Sequence, residues 1–262
     1  MCRSFGVCFM DISRFFSENF FSFAAMLSGA PGGGAVRFSP PSIAASSGLP
    51  YAGENYAIFT ERASAEDAAA ALSFFSGRHA DFIAPVMPET PGAVTELLYA
   101  NEILHRETYT SMYLPLKEKA AEKALCGVVS VPGCCGARWG NAVWRAFGGE
   151  GSAGVNDYER FGAYLVSCRE NSAFALEIGG KYIATALLHE SKNAVGLYYF
   201  ATLPEERRRG HASALMDGVT AAVSDKGKPL VLLATKEGLP FYLNCGFVPI
   251  SEIPILSRTA DI

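Results

Sequence analysis

The stretch "TLPEERRRGHASALM", residues 202–216, decides how this chain is read. An apolar run ends as it begins. A helix is predicted from its last third onward, because Ala212, Leu215, Met216, Val219, Ala222 and Val223 share one face at the 3.6-residue period. Between them lie two glutamates, three consecutive arginines and Gly210. Standing alone, such a cluster reads as a solvated, self-neutralising surface. Its place between a strand and a helix start supports a second reading. The first turn of a helix leaves N–H groups without partners. The macrodipole adds about half a positive charge there, and a glycine in the turn lets a ligand approach the backbone. Together these make an anion site suited to phosphate.

Working outward, "FALEI", "YIATALLHE" and "AVGLYYFAT" read as strands, with Gly179-Gly180 as the hairpin turn between the first two. "PLVLLAT" is a continuous apolar run, as expected of a strand buried on both faces. "GLPFYLNCG" is a short helix ending at Gly246, a C′ glycine, and "FVPISEIPIL" is expected to close the sheet. Two other phosphate motifs fail. In "IGGKYIAT", Ala175 stands where the first P-loop glycine belongs, and Tyr182 replaces the magnesium-binding hydroxyl residue. No G-x-G-x-x-G opens a helix, and "GAPGGGAVR" (29–37) reads as a flexible loop entering a strand.

The first half echoes this order. "YAIFT" is a strand, "SAEDAAAALSFFSG" a helix with a Ser64/Asp67 capping box, "DFIAPV" a strand, "PGAVTELLYANE" a helix and "TYTSMYLPL" a final strand. Strand–helix–strand–helix–strand thus occurs twice. The N-terminal turn, "TERASAED", has no glycine and carries acids, so this copy is expected to bind no phosphate. "LKEKAAEKA" (116–124) reads as the linker, and "VPGCCGARWG" (131–140) as a Pro/Gly-rich loop. In "MCRSFGVCFMDISRFFSENFFSFAAML", Ile12, Phe15, Phe16, Phe20 and Phe23 recur at helical spacing. Asp11, Arg14 and Glu18 interrupt the run, so it reads as a buried amphipathic helix rather than a signal or membrane segment.

Composition sets limits. The 262 residues are 50% apolar, include 18 Phe and 11 Tyr, and carry a net charge of −4. That supplies a sizeable core and no basic surplus for nucleic acid. Seven cysteines without a CxxC pair read as reduced thiols in a cytoplasmic protein. The adjacent Cys134 and Cys135 do not have zinc-site spacing, so no metal is expected, and a metal held by Cys126, Cys134 and Cys135 is the lesser reading.

Arg207-Arg208-Arg209-Gly210-His211-Ala212 matches the R/Q-x-x-G-x-G/A pattern of the GCN5-related N-acetyltransferases (GNAT). Pro204 stands where these enzymes often carry proline. Phe241-Tyr242-Leu243-Asn244-Cys245-Gly246-Phe247 resembles the family's FYxxxGF element. The two motifs occur in the family's order, with a helix and a buried strand between them. The chain also resembles members with a degenerate N-terminal copy. The resemblance implies an α/β mixed-sheet, tandem acyl-CoA N-acyltransferase fold, with residues 1–120 as the degenerate domain and 121–262 as the catalytic one.

It also implies roles. Phe200, Ala201 and Thr202 would pair with the pantetheine of acetyl-CoA. The N–H groups of Arg208, Arg209, Gly210, His211 and Ala212 would cradle the pyrophosphate, with Arg207 at the rim. Thr235 stands where the family commonly has a cofactor-contacting Asn, and it keeps a hydroxyl while losing the amide. Tyr242 matches the general acid that protonates the leaving thiolate, and simple packing is the other reading of it. The amine would attack the thioester directly, so no cysteine nucleophile is needed and Cys245 reads as a core filler.

For the base, His189 and Glu190 are the candidates, followed by Glu177. His189 and Glu190 lie on opposite strand faces, so at most one enters the cleft easily. Asp157 and Glu159 read as helix-start charges. The implied activity is acetyl transfer to a primary amine of a small or amino-acid-like molecule. The alternatives are a non-catalytic acyl-CoA-binding module and a tRNA-dependent transferase, for which the chain lacks basic surface. The expected partner is a small-molecule amine, not nucleic acid or a membrane. Homodimerisation stays open on the sequence.

Overall fold

The computed structural model describes residues 9–115, 127–224 and 226–259. The expected linker at 116–124 and the 120/121 boundary lie outside the described residues, as does Cys126. After helix α1 (Phe9–Leu27), the first half runs β1 (Gly34–Arg37), β2 (Ile43–Ser46), β3 (Asn55–Ile58), α2 (Ala65–Arg78), β4 (Ile83–Pro85), α3 (Gly92–Ala100) and β5 (Leu104–Leu114). The second runs β6 (Val128–Ser130), α4 (Gly136–Ala146), α5 (Ser152–Ser167), β7 (Asn171–Ile178), β8 (Lys181–Glu190), β9 (Val195–Thr202), α6 (His211–Ser224), β10 (Leu230–Ala234), α7 (Leu239–Asn244) and β11 (Val248–Ser257). The repeated order is therefore real: β3-α2-β4-α3-β5 and β9-α6-β10-α7-β11.

All eleven strands form one sheet, in the order β1-β2-β3-β4-β11-β5-β10-β9-β8-β7-β6. The sequence places β11 as the strand that closes the second half, but it lies mid-sheet between β4 and β5. β5 in turn pairs β10 of the second half. Each half thus lends its last strand to the other. A cut at residue 120 divides the sequence without dividing the sheet.

Alternation along the strands shows why helices cover both faces. Ile43, Ala45 and Ile58 pack under α1, whereas Ala44, Ala57 and Phe59 pack under α2 and α3. Leu187 faces α4 and α5, whereas Ala186 and Leu188 face α6. The amphipathic α1 buries Ile12, Phe16, Phe20 and Phe23 as expected, with Phe15 partly buried. It also crosses onto the second half. The fully buried Asn19 donates to His189 O and accepts from Tyr198 Oη, and a side chain at Gly196 would strike it. No described helix is long and apolar enough to cross a membrane.

The segment read as a loop at 131–140 instead becomes a 3-10 turn (Gly133–Cys135) followed by α4. Its glycines serve helix contact. A Cβ on Gly140 would lie 1.9 Å from Tyr158 O, and one on Gly162 would lie 2.5 Å from Gly140 Cα. The backbones of α4 and α5 therefore touch, which only glycine permits.

The strand exchange has a direct test. Fragments 1–120 and 121–262, expressed apart, should lack a cooperative thermal transition, and co-expression should restore one. A sharp transition in either fragment alone would mean that the borrowed strand is dispensable.

Candidate active site

The site is built where two parallel strands part. β9 and β10 pair only at Leu230↔Val195 and Val231↔Gly196. Beyond that, β9 continues to Thr202 held by β8 alone, while β10 stays with β5. Among the described residues, no strand pairs the edge of β9 that faces β10 from residue 197 onward. The β8 register moves from Leu187↔Tyr198 to Thr185↔Ala201, so Tyr199 and Phe200 both stand opposite Ala186. This is a β-bulge, with Tyr199 at φ 48° and its carbonyl accepting from Thr185 Oγ1 at 2.9 Å. The extra residue throws successive side chains to different neighbours. Phe200 meets Phe241 and Tyr242 of α7, at ring separations of 5.7 and 6.0 Å. Tyr199 meets Trp139 and Phe161, at 5.9 and 6.2 Å.

From the open end of β9 the chain passes through a 3-10 turn (Pro204–Glu206) into α6. Arg208 (φ 59°) and Gly210 (φ 81°) are left-handed, and a Cβ on Gly210 would meet nothing within 4 Å. The backbone is thus uncovered at this point. Ala214 N is the first of the helix to donate, to Gly210 O at 3.0 Å. Among the described residues, no side chain accepts from the first-turn N–H groups ahead of it. The three arginines divide their work. Arg207 turns inward, donating from Nε to Thr202 O (3.2 Å) and from Nη2 to Ala146 O (3.0 Å), and so ties the loop to the end of α4. Arg209 pairs with Glu206 at 2.9 Å, and His211 lies 3.5 Å from the same carboxylate. Arg208 is exposed and makes no ion pair among the described residues.

The N-terminal counterpart is closed. The Ser64 hydroxyl accepts from Asp67 N, and the Asp67 carboxylate accepts from Ser64 N and Ser39 Oγ. The capping box read from sequence is present, and it occupies the place an anion would take.

Tyr242 is half-buried on α7 among Phe200, Phe241 and Phe247. Burial, aided by the Cys245 thiol, pushes its phenol well above the usual range, so it holds its proton. The αL Gly246 ends the helix, with Phe247 N donating to Tyr242 O. The exposed Thr235 turns its hydroxyl to its own turn, accepting from Gly238 N at 3.2 Å. Cys245 is half-buried and its thiol is raised by burial, as befits a filler rather than a thiolate.

The structure does not bring the two expected bases to the splay. His189 is fully buried at the far end of β8, in register with Gly196, where β9 and β10 are still paired. Asn171 donates through its amide to Leu165 O, so its Oδ1 accepts and His189 Nδ1 carries the proton; Nε2 then accepts from Ser22. Burial drives this imidazole down to about 4, and both nitrogens are spoken for. Glu190 is held by Lys226 and Lys228 and lowered to about 2, which leaves little basicity. Glu177 pairs with Arg138 at 2.9 Å. Asp157 and Glu159 are not helix-start charges, because α5 begins at Ser152. Asp157 pairs with Arg160, and Glu159 accepts from Asn141. Glu159 also lines an open cleft of about 630 Å³ with Arg138, Asn141, Arg145 and Glu205. That cleft lies along α4 and is crossed by an Arg145–Glu205 pair.

One buried acid from outside β8 and β9 is tied to the bulge, through the hydroxyl of Tyr199. Glu54, at the end of a 3-10 turn (Ala52–Glu54) in the first half, is 6% exposed. It accepts from Tyr158 Oη at 2.7 Å and from Tyr199 Oη at 2.5 Å. Burial raises its carboxyl to about 7, against the two tyrosine bonds that lower it. "YAGENY" offers no sequence signal for this, since burial of an acid is set by what folds over it.

Residues 169–249 match the family described as Acetyltransferase (GNAT) domain. No curated protein matches the sequence. Among solved structures, a GCN5-related N-acetyltransferase from Kribbella flavida is similar over 94% of each chain, with 13% identity and a TM-score of 0.64. A functionally unknown conserved protein from Staphylococcus epidermidis is similar over 87% of this chain and 95% of that one, at 11% identity and a TM-score of 0.60. A Drosophila protein is similar over 98% of this chain and 93% of that one, at 13% and 0.57. The fold is thus the GNAT fold over most of the chain, with the GNAT domain in its second half, and it supports a general acyl-transfer function.

Glu54 makes stability depend on pH in a defined direction. Its folded value of about 7 lies above the ordinary 4.5, so its stabilisation is complete below pH 4.5 and is lost as pH rises through 7. Relative to wild type, Glu54→Gln should gain about 3 kcal/mol between pH 4 and pH 8 in denaturant unfolding. A pH-independent difference would mean that Glu54 binds no extra proton on folding.

Proposed function

We propose that this chain is an acetyl-CoA-dependent N-acetyltransferase that acetylates a primary amine of a small molecule. One observation carries the reading: the uncapped start of α6, with Gly210 open to solvent, adjoins the unpaired edge of β9, inside the segment that matches the GNAT domain. Acetyl-CoA is the donor substrate. The free N–H groups from Arg208 to Ala212 suit its pyrophosphate, since they unite unpaired donors with the positive helix end. Arg207 acts by fixing the loop, and the exposed Arg208 supplies the loop's uncommitted charge. The unpaired edge at Phe200, Ala201 and Thr202 offers ladder partners to the pantetheine amides. Backbone N–H groups at the bulge stabilise the oxyanion as the amine adds, a contribution commonly worth about 3 kcal/mol. Tyr242, protonated and packed on Phe200, donates to the leaving thiolate. Thr235 serves its own turn and adds no cofactor contact in this reading.

A non-catalytic acyl-CoA-binding role is the second reading, favoured by the absence of His189 and Glu190 from the splay. Calorimetry and kinetics separate the two. Acetyl-CoA should bind at one site per chain, and Gly210→Val should weaken it at least ~10-fold by placing a branched side chain on the open backbone. Tyr242→Phe should keep that affinity while kcat falls ~100-fold. Absence of binding heat would end the acyl-CoA reading, and binding without turnover on any amine would leave the second one.

A further inference from the structure

At about 630 Å³, the open cleft along α4 is in the size range of small-molecule sites, and the acyl-transfer reading leaves it unused. One side is a single face of α4, on which Arg138, Asn141 and Arg145 follow one another at helical spacing. The rest of the polar lining comes from Lys181 at the start of β8, Glu159 of α5, and Glu205 and Glu206 in the 3-10 turn ahead of the arginine loop. The buried Ile183 and Leu203 give the cleft an apolar floor.

Pairing within the lining leaves two opposite charges over. Arg138 stacks on the Tyr182 ring at 3.7 Å and donates to Glu177 and to Gly180 O, so it is held in place. Glu206 is taken by Arg209 at 2.9 Å. Arg145 and Glu205 meet at 3.4 Å with both side chains more than half exposed, a loose pair that a ligand exchanges at little cost. Lys181 and Glu159 make no ion pair among the described residues. Glu159 accepts one bond, from Asn141 Nδ2 at 2.9 Å, which fixes its carboxylate in the lining.

We propose that this cleft binds a small zwitterion, with an ammonium and a carboxylate on an apolar body as in a free amino acid, and that its occupant is an effector of acetyl-CoA binding rather than an acceptor. The carboxylate goes to Lys181 and Arg145, and the ammonium to Glu159 and Glu205. A ligand with one charge leaves a like charge uncompensated. An amine alone faces Lys181 and Arg145, and a carboxylate alone faces Glu159 and Glu205.

The effector role rests on the acetyl-transfer reading above. The cleft touches Leu203, just past the end of β9, and from the bulge at Tyr199 to Leu203 the chain advances roughly 13 Å. A nucleophile held in the cleft is therefore distant from a thioester at the bulge, and lies instead beside the phosphate end. Glu205 shares its turn with Glu206, which holds Arg209 and lies 3.5 Å from His211. Arg207 ties the loop to Ala146 O, next in the chain to Arg145. A ligand that bridges Arg145 and this turn fixes the loop from both sides, so less ordering remains for the diphosphate to impose. The coupling is reciprocal.

Calorimetry on the full chain tests both parts. L-Leucine or 6-aminohexanoate should bind at least ~10-fold more tightly than 3-methylbutylamine or 4-methylpentanoate, each of which lacks one charge. Lys181→Glu, at an exposed position, should abolish zwitterion binding, and Glu159→Gln should remove the preference over 4-methylpentanoate. Thermal unfolding like that of wild type checks that the cleft is intact in both variants. CoA, which carries the same diphosphate and cannot turn over, should bind ~5-fold more tightly with saturating zwitterion, and this gain should vanish in Lys181→Glu. No heat from either zwitterion, heat that survives Lys181→Glu, or equal binding of the singly charged analogues would overturn the site. A CoA affinity that the zwitterion does not raise would overturn the effector role. Failure of CoA to bind at all would overturn the acetyl-transfer reading instead, and the zwitterion titration would still decide the cleft.

Discussion

The antiparallel pairing of β5 with β11 at the middle of the sheet is the constraint from which the rest follows. It runs from Tyr113↔Val248 to Leu104↔Ser257, with two register shifts. Each of these strands is borrowed by the opposite half, so the halves cannot slide past one another without breaking the longest ladder in the molecule. β10, tied along its length to β5, is held at the angle at which it leaves β9. The splay is thus a property of the whole sheet rather than of two strands.

A duplicated unit has diverged by chemistry at one helix end. α2 and α6 occupy equivalent places after equivalent strands. α2 satisfies its first amides with Ser64 and Asp67, and the Ser64 hydroxyl holds Glu66 below the usual carboxylate range. α6 begins instead from a left-handed glycine with its amides open. The capped copy gains local stability and gives up an anion site. Its 3-10 turn (Ala52–Glu54) instead supplies an acid to the neighbouring half.

The sequence was most legible where local rules act. Helical spacing located α1 and α6, the capping box marked α2, Gly179-Gly180 marked the hairpin, and Gly246 marked the end of α7. The R-x-x-G-x-A loop between its strand and helix was likewise readable from local geometry, whereas Tyr242 was singled out only by its place in a motif that resembles the family's. Strand exchange was not, since β5 and β11 look the same whichever half they join. His189 and Glu190 show the limit for a site. Their place on a strand was correct, but Ser22, Asn171, Lys226 and Lys228 claim them, and those partners are 18 to 167 residues distant. Glu54 shows the converse. Its hydrogen-bond partners, Tyr158 and Tyr199, lie 104 and 145 residues away.

The glycine contact between α4 and α5 has a mechanical consequence. With Gly136, Gly140 and Gly162 bringing main chain against main chain, the two helices behave as one stiff lever with no side-chain layer to shear. Any breathing of this corner is therefore concentrated in the five residues that join them, as in a clasp whose arms are fused at the pivot.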